Sequence, residues 1–156
     1  MLLKKLSVVA AGFATVVAVT LFTVGWAVNP VVAEQAESAY LLAQKAQVAA
    51  TTYQLDKAGL HTIEEASKAG SIPAVALGDV RHTRIAVQST AWPASLKAKS
   101  TELVSAMTSL EEAIRTEDPA KVTDPAATSH QVGHDLSAAV YTWLETGTAP
   151  EGGHGH

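Results

Sequence analysis

Residues 93–114 have the sequence PASLKAKSTELVSAMTSLEEAI, and this stretch decides the fold class. Its large apolar side chains follow one another at steps of seven, four, three and four: Leu96, Leu103, Met107, Leu110 and Ile114. Such steps place the side chains on one face of an α-helix. Proline is suited to the opening turn of a helix because no intrahelical partner exists there for a backbone N–H. The stretch therefore predicts an amphipathic helix with one buried face.

The residues before this stretch also favour helix. A first helix is predicted over residues 34–57, and its side chains at steps of three and four are Leu42, Ala46, Ala49 and Tyr53. Gly59 either kinks this helix or precedes a second, shorter one that reaches residue 68. Gly70 predicts the end of this helical segment, and Pro73 predicts the beginning of the next helix, over residues 73–88.

Two Asp-Pro pairs, Asp118-Pro119 and Asp124-Pro125, bracket a short connection after the central stretch. Aspartate suits the N-cap and proline the first helical position. The last helix is predicted over residues 125–145, with a core stripe of Val132, Leu136, Val140 and Trp143. No segment alternates with period two, so we expect an all-α, up-down bundle of about four helices over residues 34–146.

Residues 1–33 form a separate segment. Lys4 and Lys5 precede 23 residues without a charge, 6–28, which is long enough to span a bilayer. Small residues at Val31 and Ala33 also suit cleavage by signal peptidase before Glu34. A cleaved signal peptide and a retained membrane anchor therefore both remain open. Either one predicts an extracytoplasmic body that is secreted, periplasmic or anchored facing outside, because the two lysines stay inside.

Composition excludes several classes of function. The chain has no cysteine, which removes disulfides, thiolate zinc sites and iron–sulfur clusters. Residues 34–156 contain nine basic and fifteen acidic side chains, a formal charge of −6, which argues against a nucleic-acid partner. We find no catalytic motif and expect no enzyme. Residues 147–156 form a Gly/His-rich tail that is predicted to be disordered, and its histidines offer a loose metal site.

Two pairs of side chains have the spacing of metal ligands. His130 and His134 are four residues apart on a predicted helix and share a face. His61 and Glu64 are three apart and share a face in the same way. Facing helices of a bundle can combine such pairs into one site. The sequence thus predicts a transition-metal site of His61, Glu64, His130 and His134, for Zn, Cu or Fe.

One of these pairs lies in a recognisable motif. Residues Gly59 to Glu64 have the form Gly-x-His-x-x-Glu, which resembles the signature of imelysin-like proteins. That family is helical, extracytoplasmic and linked to bacterial iron uptake. The resemblance implies metal ligation by His61 and Glu64. It covers six residues, and the family's domain is larger than this chain's body.

Other polar and aromatic residues offer alternatives to a metal. Arg81 and Arg84 lie near the apolar face of their helix, where they could pair with Asp56, Glu64 or Asp135, or bind an anion. A buried His/Arg/Glu network without metal would make the protein a non-catalytic structural or interaction module. Met107 with a histidine could hold a haem, although packing alone explains its stripe position. The leading prediction remains metal binding for uptake, buffering or sensing, with no assigned protein partner.

Overall fold

The structure, a computed structural model, describes residues 30–147. These contain no strand and five helices: α1 Pro30–Asp56, α2 Leu60–Lys68, α3 Ala76–Ser89, α4 Ala94–Ile114 and α5 Pro119–Thr146. The chain divides into two units, Met1–Glu37 and Ser38–His156. Of the first unit the structure describes the start of α1, whose side chains from residue 33 to 37 are exposed. The second unit contains the bundle.

The central stretch forms α4 as predicted. Its apolar stripe is buried, with Leu96, Leu103, Met107 and Leu110 at 0% exposure and Ile114 at 6%. Helix α4 packs against both α3 and α5, which precede and follow it through short connections. The all-α fold class is thereby confirmed for the described residues.

Helices α1 and α2 together take the place of a fourth helix in the bundle. Gly59 adopts a left-handed conformation, with φ of 66°, and precedes α2 as its N-cap. Lys45 Nζ donates to the Leu144 carbonyl at 3.1 Å, and Ser137 Oγ donates to Asp56 Oδ1 at 3.3 Å. Since higher residue numbers on α1 face lower numbers on α5, the two helices are antiparallel. Glu64 of α2 contacts His130 of α5, which continues the same order, so the break at Gly59 does not reverse the direction of the chain.

The buried face of α1 differs from the predicted one. Leu42 and Tyr53 are 71% and 64% exposed, and Ala46 and Ala49 are exposed as well. The buried side chains are instead Val48, Thr51, Thr52 and Leu55. Thr51 Oγ1 lies 2.6 Å from Thr90 Oγ1 after α3, which satisfies a buried hydroxyl pair. Threonine is mildly polar, and for this reason the sequence pattern favoured the more apolar opposite face.

Helix α5 begins earlier than predicted. Asp118 caps it by accepting a hydrogen bond from the Ala120 backbone N–H at 3.1 Å, and Pro119 occupies the first turn. Pro125 therefore lies inside the helix, where it cannot donate to the Lys121 carbonyl. Val122 and Ala126 on either side are fully buried. Burial of this face offsets the missing Pro125–Lys121 hydrogen bond and stabilises the first turns of α5.

Two predicted segments lie outside the described residues. The uncharged run at 6–28, with its signal-peptide or anchor alternatives, is one, and most of the Gly/His-rich tail from 148 onward is the other. Among helices within 30–147, none combines the length and apolar character that a membrane span requires.

Candidate metal centre

The short helix α2 carries His61 and Glu64 on the same side, next to α5. Ile63, between them, is 3% exposed and packs into the core, as does Leu60 at 6%. Because the helix buries these apolar residues, the polar pair is turned to the edge of the interface with α5. His61 is exposed, and the Glu64 side chain is 14% exposed.

A close approach between α2 and α5 brings the second pair to the first. Gly133 of α5 has no side chain, and a Cβ there would lie 3.4 Å from Leu60 Cδ1 and 3.6 Å from Leu55 Cδ1. These two leucines therefore pack directly over the α5 backbone. His130 and His134 flank Gly133 along α5, so this packing places them beside α2.

Three of the four predicted residues meet at one point. Glu64 Oε2 lies 2.7 Å from His130 Nδ1, and the ring centroids of His61 and His130 are 5.1 Å apart. One donor atom from each of His61, Glu64 and His130 lies within 4.8 Å of the other two. Donors that share one ion bound at about 2.0–2.2 Å are separated by roughly 3–4 Å. Glu64 Oε2 and His130 Nδ1 would therefore move slightly apart from 2.7 Å, and any donor atoms of the group more than about 4 Å apart would move closer.

His134 contacts the group from one side. Its Nε2 lies 2.9 Å from His130 Nε2, and the two ring centroids are 4.6 Å apart. It is not a member of the group of three convergent donors. The structure thus brings His134 to His130, and its prediction as a fourth ligand stays a prediction.

Lys68 places a positive charge beside the Glu64 carboxylate. Its ammonium lies 2.6 Å from Glu64 Oε1 and 2.9 Å from Glu65 Oε1. Hydrogen bonds from Lys68 and from His130 hold the pKa of Glu64 below its usual value, and the Glu64 carboxylate in turn raises the pKa of Lys68. Glu64 is therefore an ionised ligand candidate. Lys68 is not among the residues predicted above, although its i,i+4 spacing from Glu64 is the signal that indicates such a pair.

The arginines have a different partner from those predicted. Arg84 Nε donates to the Glu111 carboxylate, and Arg81 Nε lies 3.5 Å from the same group. Glu111 is 5% exposed, and Arg115 Nη2 lies 3.8 Å from it one helical turn away. Within residues 30–147, the arginines make no ion pair with the expected partners, which were Asp56, Glu64 and Asp135. Glu111 lies beside the apolar stripe of α4 and next to the exposed Glu112, so the helical pattern alone does not single it out as the partner of the arginines.

Trp92 and Met107 both have structural roles. The Trp92 indole N–H donates to the Val87 carbonyl at 2.7 Å at the α3–α4 junction. Met107 is fully buried in the hydrophobic core, so packing accounts for it without a haem.

Comparisons with protein-family models, with curated proteins and with solved structures give no match for this chain. The class supported by the described residues is an all-α bundle with a candidate metal centre between α2 and α5. The resemblance to imelysin-like proteins stays a prediction that rests on residues 59–64.

Proposed function

We propose that this protein binds one transition metal ion through His61, Glu64 and His130. The convergence of these three donors within 4.8 Å, from two separate helices, carries the proposal. Imidazole and carboxylate suit Zn(II), Cu(II) and iron better than they suit Ca(II) or Mg(II), which prefer all-oxygen sites. Because the helices hold the donors near one another before an ion arrives, little ordering entropy opposes binding.

A second candidate function follows from the hydrogen bonds of Glu64. Lys68 and His130 satisfy both of its carboxylate oxygens, at 2.6 and 2.7 Å. Such a network is complete without a metal and could serve to fix α2 against α5 in a non-catalytic interaction module. A metal ion would have to compete with the proton on His130 Nδ1, whereas the interaction module requires no ion at all.

Metal titration of the full chain in detergent micelles separates the two candidates. We expect calorimetry to show that one equivalent of Zn(II) binds. His61→Ala, Glu64→Gln or His130→Ala should each lower the Zn(II) affinity more than about 100-fold, which exceeds the effect usual for a residue that only contacts a ligand. His82→Ala is the matched control, since His82 is exposed on α3. Deletion of residues 152–156 should have little effect. If wild type and His130→Ala bind Zn(II) with equal affinity, the metal site is excluded and the interaction module becomes the favoured function.

We also propose that the body functions outside the cytoplasm. The support is the pair Lys4 and Lys5 followed by the uncharged run 6–28. A reporter fused after His156 should be active only if that reporter works outside the cytoplasm. Activity of a strictly cytoplasmic reporter at this end would exclude export.

A further inference from the structure

Each of the two central ligands has one donor atom engaged by a neighbour. Glu64 Oε1 faces Lys68 at 2.6 Å, and His130 Nε2 faces His134 Nε2 at 2.9 Å. The remaining donors, Glu64 Oε2 and His130 Nδ1, face each other at 2.7 Å. Each residue therefore directs a single donor atom to the centre, where His61 supplies a third.

Three protein donors are one too few for a closed site. Structural zinc sites are almost always four-coordinate, with protein ligands at every position. Sites with two imidazoles and one carboxylate instead keep a position for water or another external ligand. In this centre His61 is exposed, and the side chains of His130 and Glu64 are 25% and 14% exposed, so solvent has access to the group of three donors.

We propose that an ion at this centre keeps an open coordination position, which binds a small monodentate external ligand. The protein ligands are His61, Glu64 Oε2 and His130 Nδ1. This inference rests on the proposed metal binding and assigns His134 a role other than the predicted one. His134 is a positioning residue that acts through His130 and does not touch the ion.

The hydrogen bonds of His130 give the physical reason for this role. An imidazole that binds a metal through Nδ1 carries its proton on Nε2. That Nε2–H then donates to His134 Nε2, which fixes the rotation of the His130 ring, as outer partners of metal-bound histidines commonly do. Binding of an ion through Nδ1 would require that a neutral His130 carry its proton on Nε2 in place of Nδ1, and that His134 carry its own proton on Nδ1, so both rings would change tautomer and no net proton would be released.

Co(II) provides the probe because its visible spectrum reports coordination. The host is the full chain with His154→Ala and His156→Ala, which removes the tail imidazoles. We expect stoichiometric Co(II) binding, two imidazoles per ion by X-ray absorption, and a shift of the visible bands on addition of azide. His134→Ala should lower Co(II) affinity about 10–100-fold and leave the count at two imidazoles.

The two proposals fail in different ways. Absence of Co(II) binding by the host overturns the proposed function and this inference together. Stoichiometric binding with three imidazoles, one of which disappears in His134→Ala, overturns only the inference and makes His134 a ligand. Stoichiometric binding without a response to azide also overturns the open position. His82→Ala in the same host controls for nonspecific loss of an imidazole.

Discussion

Glu64 Oε2 and His130 Nδ1 lie 2.7 Å apart, although 66 residues separate them in the sequence. One residue belongs to the nine-residue helix α2 and the other to α5, which has 28 residues. Beside this contact, Leu60 and Leu55 pack over Gly133 of α5, where a Cβ would lie 3.4 and 3.6 Å from them and leave no room for a larger side chain. The candidate metal centre therefore depends on the packing of the apolar residues beside it.

The first prediction tests that dependence. Gly133→Leu should destabilise the fold by about 1–3 kcal/mol through overpacking against Leu60 and Leu55, and should weaken Zn(II) binding at least tenfold. Urea unfolding followed by circular dichroism and calorimetric titration measure the two effects.

Gly78→Leu is the control for this prediction. Among the described residues, no heavy atom outside its own stretch of α3 lies within 4 Å of the position that a Cβ at Gly78 would take. Helix propensity should therefore make this change stabilising by roughly 0.5–1 kcal/mol, with Zn(II) binding unchanged. Similar outcomes for both variants would contradict the packing argument.

The second prediction concerns a buried hydroxyl. Ser129 is fully buried on α5, and its Oγ has no hydrogen-bond partner among the described residues. Ser129→Ala removes an unsatisfied polar group and improves helix propensity, so we expect the free energy of unfolding to rise by about 1 kcal/mol.

Ser137→Ala provides the matched control for this prediction. Ser137 is on the same helix and is also buried, but it donates to Asp56 Oδ1. Ser137→Ala improves helix propensity by the same amount as Ser129→Ala, but it also removes the hydrogen bond to Asp56. Urea midpoints should therefore place Ser129→Ala above Ser137→Ala, and the reverse order would contradict the assignment.

The third prediction concerns the carboxylate between α3 and α4. Glu111→Gln leaves Arg81, Arg84 and Arg115 without their shared negative partner, and we expect a loss of about 2–4 kcal/mol in the free energy of unfolding. Glu112→Gln removes the same charge from the adjacent exposed position and should change stability by less than about 0.5 kcal/mol. Chemical denaturation of both variants measures the difference. Equal effects would show that Glu111 is not a structural partner of the arginines.

The fourth prediction concerns the pH range in which Tyr141 ionises. Its hydroxyl donates to Asp56 Oδ2 at 3.1 Å, and this bond, together with the negative charge of Asp56, raises the pKa of Tyr141 above its ordinary value of 10.0. The neutral phenol is favoured in the folded protein. Its contribution to stability is therefore complete below the unfolded pKa and is lost as the pH rises through the raised folded pKa.

Absorbance titration of a variant with Tyr40→Phe and Tyr53→Phe isolates this phenol. Asp56→Asn should return the pKa of Tyr141 toward its ordinary value. Asp135→Asn is the control, because Asp135 accepts from Gln131 on the same helix, whereas the Tyr141 hydroxyl donates to Asp56. A titration that is unchanged by Asp56→Asn would exclude the hydrogen bond as the cause.

Helix α1 shows where sequence pattern is insufficient. Its two candidate faces differ little, since small and mildly polar residues occupy both. The buried face contains Val48 and Leu55 together with Thr51, whose hydroxyl is satisfied by Thr90 on the opposite side of the contact. That partner comes from another part of the chain, 39 residues away, and no local periodicity reports it.

The sequence by itself determined the all-α fold, the buried stripe of α4, and the two face-sharing pairs His61/Glu64 and His130/His134. These are local properties, since helix periodicity and i,i+3 or i,i+4 spacing act within one helix. Only the tertiary structure decided that Glu64 meets His130, that His134 contacts His130 from outside the group of three, and that Arg84 pairs with Glu111. Those contacts depend on the register and close approach of separate helices, which the packing of apolar side chains sets and a single helical pattern does not encode.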